Sequence, residues 1–367
     1  MEAAALGRSL FFVCCFLRVL REDVAVLACN DSQGRDVPGE GRKTMKRWAL
    51  PALALVAAAL VSPQEAHSQQ YPSRDIHIIC GFPAGSGADI YARFFANKLA
   101  EISKATVVVE NKPGAQGSIA TTHVARAKPD GYTIYIGGAD AFSASPYLFK
   151  TPPIDPIKDF EYISPLLGQG FMLIVDSKRP FKQVSELTAY LKEKKDKASY
   201  GTPTNPGTIL AELYKSANGL NTVQVNYKTS ADFVNDLASG AIDFVMADPV
   251  FTLARVKQGV VRPLAISTAK RVSSVPDIPT MQEQGIPDID LNLWWLMAAP
   301  AGTPQPVLDK LHGWLTQVGK DPATREFLGR NGGEPLMADS PAATKTMVAK
   351  EVAAWKNYIQ VAKIPPQ

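Results

Sequence analysis

Short apolar stretches alternate with longer segments whose apolar residues fall every third or fourth position, from Ile76 to Thr268. The runs Ile76–Ile79, Thr106–Val109 and Tyr132–Ile136 are β-branched or aromatic and bounded by turn residues, so each predicts a buried strand. Between the first two, Ala88, Ala92, Phe95, Leu99 and Ile102 recur at steps of four and three, which predicts a helix with one face on a sheet. Ser118 to Ala127 predicts another helix, ended by Lys128-Pro129-Asp130-Gly131. After a proline-rich stretch, Pro146 to Pro165, the alternation resumes. It predicts strands at Phe171–Val175, Ala198–Gly201, Asn221–Tyr227, Ala241–Met246 and Val261–Thr268, with helices at Val184–Lys195, Ile209–Ala217 and Ala231–Ser239. Asp290 to Ala299 is a last apolar strand returning to the first unit, and Pro300–Pro304 introduces a helical C-terminal region. Strands and helices alternating at this pitch predict α/β architecture: two doubly wound, parallel-sheet domains with a ligand cleft between them. The expected boundaries are 69–168 plus 292–367 for domain 1 and 169–291 for domain 2.

The first turn carries the first candidate chemistry. Phe82-Pro83-Ala84-Gly85-Ser86-Gly87-Ala88-Asp89 joins a strand to a helix start, which aims backbone N–H groups and the positive end of a helix at one point, an anion site by construction. The helix dipole supplies only roughly 0.3–1 kcal/mol per charge, so a second arm is expected. Ile90 stands where a dinucleotide fingerprint needs its third glycine, the P-loop ending Gly-Lys-Ser/Thr is absent, and Ser86 does not sit in a G-x-S-x-G elbow. A plain βα turn, with glycines for tightness, accounts for the same residues.

Thr202-Pro203-Thr204-Asn205-Pro206-Gly207-Thr208 repeats the arrangement: a hydroxyl- and glycine-bearing turn before a helix. Thr208 is a candidate N-cap. At the carboxyl ends of other predicted strands lie Gly137–Ser143, including Ala139, and Asp248-Pro249, where ligands sit in such sheets. Asp248 either accepts from a ligand donor or caps the following helix. Trp294 and Trp295 either wall the cleft or fill the core. Lys192 to Lys197 is a solvated helix end.

Composition places the chain among ordinary globular proteins, at 46% hydrophobic and 20% charged residues. The N-terminus departs from this. Lys46-Arg47, an apolar run from Trp48 to Val61 and Ala66-His67-Ser68 read as a signal peptide over 45–68, cleaved near Ser68, with an apolar run shorter than the ~20 residues of a spanning helix. Residues 1–44 read as an over-called upstream segment, with Met45 as the start. Cleavage leaves Cys80 as the single cysteine, expected to be a packed small hydrophobe, and allows no disulfide framework. The formal net charge of +4 is too slight for a nucleic-acid partner and is compatible with anionic ligands.

From about Tyr71 onward the chain resembles the periplasmic substrate-binding proteins of tripartite tricarboxylate transporters, the Bug or TctC family. The resemblance rests on Phe82-Pro83-Ala84-Gly85-x-Gly87-Ala88-Asp89-x-x-Ala92-Arg93, Val108-Val109-Glu110-Asn111-Lys112-Pro113-Gly114-Ala115, Pro129-Asp130-Gly131-Tyr132-Thr133, Asp155-Pro156-x-Lys158-Asp159-Phe160, Tyr227-Lys228 and Ala299-Pro300-Ala301-Gly302-Thr303-Pro304. It implies a type II-like periplasmic binding protein whose lobes close on a carboxylate held by two βα turns, here Phe82–Asp89 and Gly201–Thr208. Ser86 stands where the family commonly has Gly, and Pro203 and Pro206 each remove an N–H donor. The second arm is therefore expected to rely on Thr202, Thr204, Asn205 and Thr208, with Gly207 in the turn.

The expected function is capture of an organic carboxylate (a di- or tricarboxylate or an aromatic acid) by a monomer in the periplasm and delivery to membrane subunits, without cofactor, metal or catalysis. Phe142, Phe171 and Trp294–Trp295 as apolar walls favour an aromatic or long dicarboxylate. A ligand-sensing role at a membrane signalling receptor would use the same cleft. An exported hydrolase with Ser86 as nucleophile would need His77, His123 or His312 as base, and none of these carries a triad signature.

Overall fold

The computed structural model describes residues 71–287 and 289–366; the proposed upstream segment and signal peptide lie outside the described residues. In chain order the first elements are β1 (Ile76–Cys80), α1 (Gly87–Ser103), β2 (Val107–Asn111), α2 (Ser118–Ala125), β3 (Thr133–Gly138), α3 (Asp140–Ser143), α4 (Ser145–Leu148) and β4 (Phe160–Gly170). There follow β5 (Met172–Asp176), α5 (Val184–Lys194), β6 (Ser199–Thr202), α6 (Asn205–Asn218), β7 (Val223–Asn226), α7 (Val234–Ser239), β8 (Phe244–Ala247), α8 (Pro249–Lys257) and β9 (Val261–Ile266). The chain ends with β10 (Asn292–Pro300), α9 (Gln305–Lys320), α10 (Pro322–Arg330), β11 (Gly333–Pro335) and α11 (Pro341–Ala362).

Two sheets result, a six-stranded one ordered β11-β4-β10-β3-β1-β2 and a five-stranded one ordered β7-β6-β8-β5-β9. Helices cover both, burying the predicted apolar faces: Ala92, Phe95 and Leu99 of α1 pack with Ile76 and Ile78 of β1 in one lobe. Leu210 and Tyr214 of α6 pack with Tyr200 and Phe244 in the other. Cys80 is buried in β1 as a small apolar residue, and burial pushes its thiol up to about 11.

The parallel-sheet expectation holds only in part. β1 runs parallel to β2 and β3, and β6 runs parallel to β7 and β8. β10 is antiparallel to both β3 and β4, and β5 is antiparallel to both β8 and β9. The antiparallel strands are those next to the crossings between lobes. β4 ends at Gly170 and β5 starts at Met172, so one residue, Phe171, passes from sheet to sheet. The return crossing runs beside it. Ser267 ties the two: its N–H donates to the Phe171 carbonyl at 2.9 Å and its Oγ donates to the Leu291 carbonyl at 2.8 Å. Long apolar strands show burial in a sequence but not direction, which is set by these crossings.

Candidate functional site

The carboxyl ends of the strands in both lobes face one cleft of about 940 Å³, and a smaller inner chamber of about 70 Å³ lies against the crossing strands. Ser86, Gly87 and Ala88 line the chamber from one lobe, and Thr204, Pro206 and Asp248 line it from the other. The N-termini of α1, α6 and α8 thus converge on it.

The first turn is held rigidly. Ser86 is the N-cap of α1, its Oγ accepting from the Asp89 N–H and donating to the Pro83 carbonyl at 2.7 Å. Gly85, with φ +79°, lets the chain turn so that its N–H meets Asp89 Oδ2 at 2.9 Å. Arg93 Nε donates to the same oxygen at 2.8 Å, and Asn111 Nδ2 bridges Asp89 Oδ1 at 2.8 Å and the Phe82 carbonyl at 3.0 Å. Burial pulls the Asp89 pKa upward, but donation from Arg93, Gly85 and Asn111 outweighs it and holds the carboxyl below its usual range. What remains for a ligand are the N–H groups of Gly87 and Ala88, which have no acceptor among the described residues.

The second turn is poorer in donors. Thr204, in extended backbone, caps α6 by accepting from the Gly207 N–H, so the helix starts at Asn205. This corrects the expectation that Thr208 caps it. Pro206 tolerates the first helical turn and lets the helix begin four residues earlier than the apolar pattern indicated. Thr208 Oγ1 bonds back to the Thr204 carbonyl at 3.2 Å and shares a 3.1 Å contact with Thr202 Oγ1. Of the first turn of α6, only the Asn205 N–H lacks an acceptor among the described residues. Gly207 allows close approach: a Cβ there would lie 2.7 Å from the Met246 carbonyl.

The expected residues divide as follows. Phe82 lines both the cleft and the chamber; Pro83, Thr202, Asn205 and Thr208 line the outer cleft; Thr204 lines both. Ala84, Gly85, Asp89, Ala139 and Gly207 line neither; Asp89, Ala139 and Gly207 are buried behind the surface, whereas Ala84 and Gly85 are exposed. Ala139 is buried, its N–H given to the Trp294 carbonyl at 2.8 Å, while its neighbours Gly138 and Asp140 reach the chamber. Asp248 meets the capping expectation. It caps α8, accepting from the Phe251 N–H at 2.9 Å, and it borders the chamber.

The aromatic walls are fewer than the four expected. Phe171 and Trp295 line the chamber. Phe142 is fully buried against Tyr135, Phe160 and Tyr162, and Trp294 packs on the opposite face of β10. Consecutive strand residues point to opposite faces, so only one of the two tryptophans can reach the cleft.

Asp140, Gln169, Ser230 and Lys228 were not among the expected site residues. The first three line the chamber and Lys228 lines the outer cleft. Asp140 had a signal, since it follows Gly137-Gly138 at the carboxyl end of β3. Gln169 had none, because its position comes from the crossing. Burial, with a smaller push from Glu351, raises the Asp140 carboxyl to about 6. Burial also raises Asp248, against donation from the Phe251 N–H and the Ser230 hydroxyl.

Ser86 has no imidazole partner among the described residues. His77 Nδ1 bonds Glu110 at 2.7 Å and His312 Nδ1 bonds the Ile163 carbonyl at 2.9 Å. Among the described residues no group of three His, Cys, Asp or Glu is placed to hold a metal, and no helix is long and apolar enough to cross a membrane.

Two α/β lobes joined by crossing strands, with helix N-termini meeting across the cleft, define a two-domain binding-protein fold. The model of the tripartite tricarboxylate transporter family receptor, TctC, matches residues 91–364, and the chain belongs to that family. It is 31% identical over 316 residues to a UPF0065 protein of Bordetella bronchiseptica, spanning 86% of this chain and 93% of that one. Among solved structures, the periplasmic binding protein BugD shares 34% identity at a TM-score of 0.75, over 81% of this chain and 100% of that one. Rpa4515 of R. palustris, solved with adipate, shares 28% identity at a TM-score of 0.77, again over 81% of this chain and 100% of that one.

Proposed function

We propose that this protein, exported with its signal peptide removed near Ser68, captures an organic carboxylate between its lobes and hands it to the membrane subunits of a tripartite transporter. The observation that carries this reading is the convergence of α1 and α6 on one chamber, with the N–H groups of Gly87, Ala88 and Asn205 left without acceptors among the described residues. Helix N-termini so arranged bind anions through oriented amides and the helix dipole. Thr204 and the Asn205 side chain supplement the donor-poor second turn. The adipate held by Rpa4515 supports a carboxylate as the ligand class.

A micromolar ligand requires about −8 kcal/mol. A handful of charge-assisted hydrogen bonds at roughly 1.5–3 kcal/mol each reaches that after ordering costs. The test is a melting series on the purified protein across mono-, di- and tricarboxylates, aromatic acids and amino acids. Binding at 100 times the dissociation constant adds about 2.7 kcal/mol of stability, a clear upward shift in Tm. A series in which no acid moves the melt, while a neutral or cationic solute does, overturns the reading.

A further inference from the structure

Outside the ligand cleft, a groove of about 460 Å³ lies between the end of α4 and the C-terminal end of α11. Tyr147, Phe149 and Ile364 form its floor, half-buried against the core that also holds Leu210 and Tyr214 of α6. Lys150, Lys356 and Lys363 stand exposed around that floor, and no aspartate or glutamate lines it. The lysine ion pairs among the described residues all lie elsewhere in the chain. The lysine run at the end of α5 is different, since Lys194 is given to Asp243 at 2.7 Å and Glu193 and Asp196 interleave the rest.

Like charges gathered without counter-ions repel one another, and a ring of them around an apolar floor leaves two needs at once. The lysines lack carboxylates, and the half-exposed rings lack a cover. A polypeptide segment with apolar residues between acidic ones meets both. Its apolar side chains rest on the floor and its carboxylates reach the rim, the arrangement of apolar centre and polar border usual in protein–protein contacts. The recess favours such a segment over a flat surface: a membrane would touch the lysines without reaching Tyr147 or Phe149. The groove falls within the roughly 300–1,000 Å³ of sites that enclose a small molecule, so it admits a side chain or two of an inserted segment.

We infer that this groove docks an acidic, apolar-centred segment of a partner protein. Ile364 borders both the groove and the ligand cleft, and α11 packs on β4 of one sheet and on α6 beside the other. A change in the angle between the lobes therefore shifts the walls of the groove, so a partner seated there meets different surfaces on open and closed protein. The docking surface itself is independent of what the cleft holds.

The test is fluorescence anisotropy with the purified protein and three dye-labelled peptides: Asp-Glu-Phe-Leu-Asp-Glu, its neutral counterpart Asn-Gln-Phe-Leu-Asn-Gln, and Asp-Glu-Ser-Ser-Asp-Glu, which lacks the apolar centre. The first is expected to bind at least tenfold more tightly than either of the others, and to weaken as salt rises. A Lys150→Glu/Lys356→Glu/Lys363→Glu variant should lose tenfold or more of that affinity. Lys192→Glu/Lys195→Glu/Lys197→Glu carries the same net charge and should bind as the parent does. All six lysines are exposed, so both variants keep the fold. Equal binding of the first peptide and either of the others, equal losses in the two variants, or no saturable binding of any peptide overturns the proposal. So does binding to phosphatidylglycerol vesicles, or self-association, that the first variant loses while the acidic peptide does not bind; the face would then belong to a lipid surface or a second copy. None of these outcomes bears on carboxylate capture, which the melting series decides.

Discussion

The carboxylate of Asp248 fills the space that a side chain at Gly87 would need: a Cβ built on Gly87 would lie 2.7 Å from Asp248 Oδ1 and 3.0 Å from Val250 Cβ. Gly87 is the first residue of α1 in one lobe, and Asp248 caps α8 in the other. The lobes therefore touch at the mouth of the chamber, backbone against side chain, and only glycine permits the approach.

Gly87→Ala separates folding from closure. An alanine at a helical position gains up to about 1 kcal/mol of intrinsic preference over glycine, so the ligand-free Tm should hold or rise. Ligand affinity should nevertheless fall by tenfold or more, because the methyl group holds the lobes apart. Calorimetry and small-angle scattering of the loaded variant check this; unchanged affinity would mean that this contact plays no part in capture.

Asp89 is the clamp of the first turn, not a ligand contact. Asp89→Asn removes the charge and turns an amide toward the donors of Gly85, Arg93 or Asn111, which should cost on the order of 2–4 kcal/mol by analogy with broken buried ion pairs. The pKa of Asp89 is depressed in the folded protein, so its contribution is present above the unfolded carboxyl range and is lost as pH falls through the folded value. The variant's denaturation curves should accordingly show a smaller loss of stability on acidification below about pH 4 than the parent.

Asp140 has the opposite sign. Its carboxyl is raised from the ordinary 3.8 to about 6, so the folded state binds more protons than the unfolded state between those values, and stability falls as pH rises through that window. Asp140→Asn removes this penalty. In the ligand-free protein, the variant should gain on the parent progressively from pH 4 to 6, by roughly 1–3 kcal/mol at the upper end, and by no more above it. Paired melts across that range measure the gain. A difference that does not depend on pH would show that Asp140 is fully solvated.

Ser86→Ala removes an N-cap and a bond to the Pro83 carbonyl. The expected loss is about 1 kcal/mol of stability, with ligand binding weakened by a few-fold at most, since the N–H groups of Gly87 and Ala88 remain. Ester-hydrolysis assays on parent and variant should both read background, and loss of a real turnover on substitution would revive Ser86 as a nucleophile.

Much of this was legible in the residues. The strand–turn–helix at Ile76–Ile102 announced itself by its periodicity, and the second turn by its resemblance to the first. Thr208 looked like a cap because the apolar pattern of α6 begins only at Ile209, whereas the helix starts at Asn205, where Thr204 can turn its hydroxyl back on the Gly207 N–H. Ala139 stands at the right strand end, between the Gly138 and Asp140 that line the chamber. The neighbouring Asp140 folds back over Gly138, which has no side chain in the way.

The sequence alone determined the elements, their buried faces and the two turns, because those follow from local periodicity, caps and glycine positions within a few residues of each other. Only the tertiary structure decided strand direction beside the crossings, which of Trp294 and Trp295 meets the cleft, and that Asp140, Gln169 and Asp248 share a chamber with the N–H groups of Gly87 and Ala88. Those relations join residues far apart in the chain, Gly87 and Asp248 among them, 161 positions apart. They exist only because the two crossings, β4 to β5 and β9 to β10, bring separate sheets together, and no local pattern encodes which side chains will then stand opposite one another.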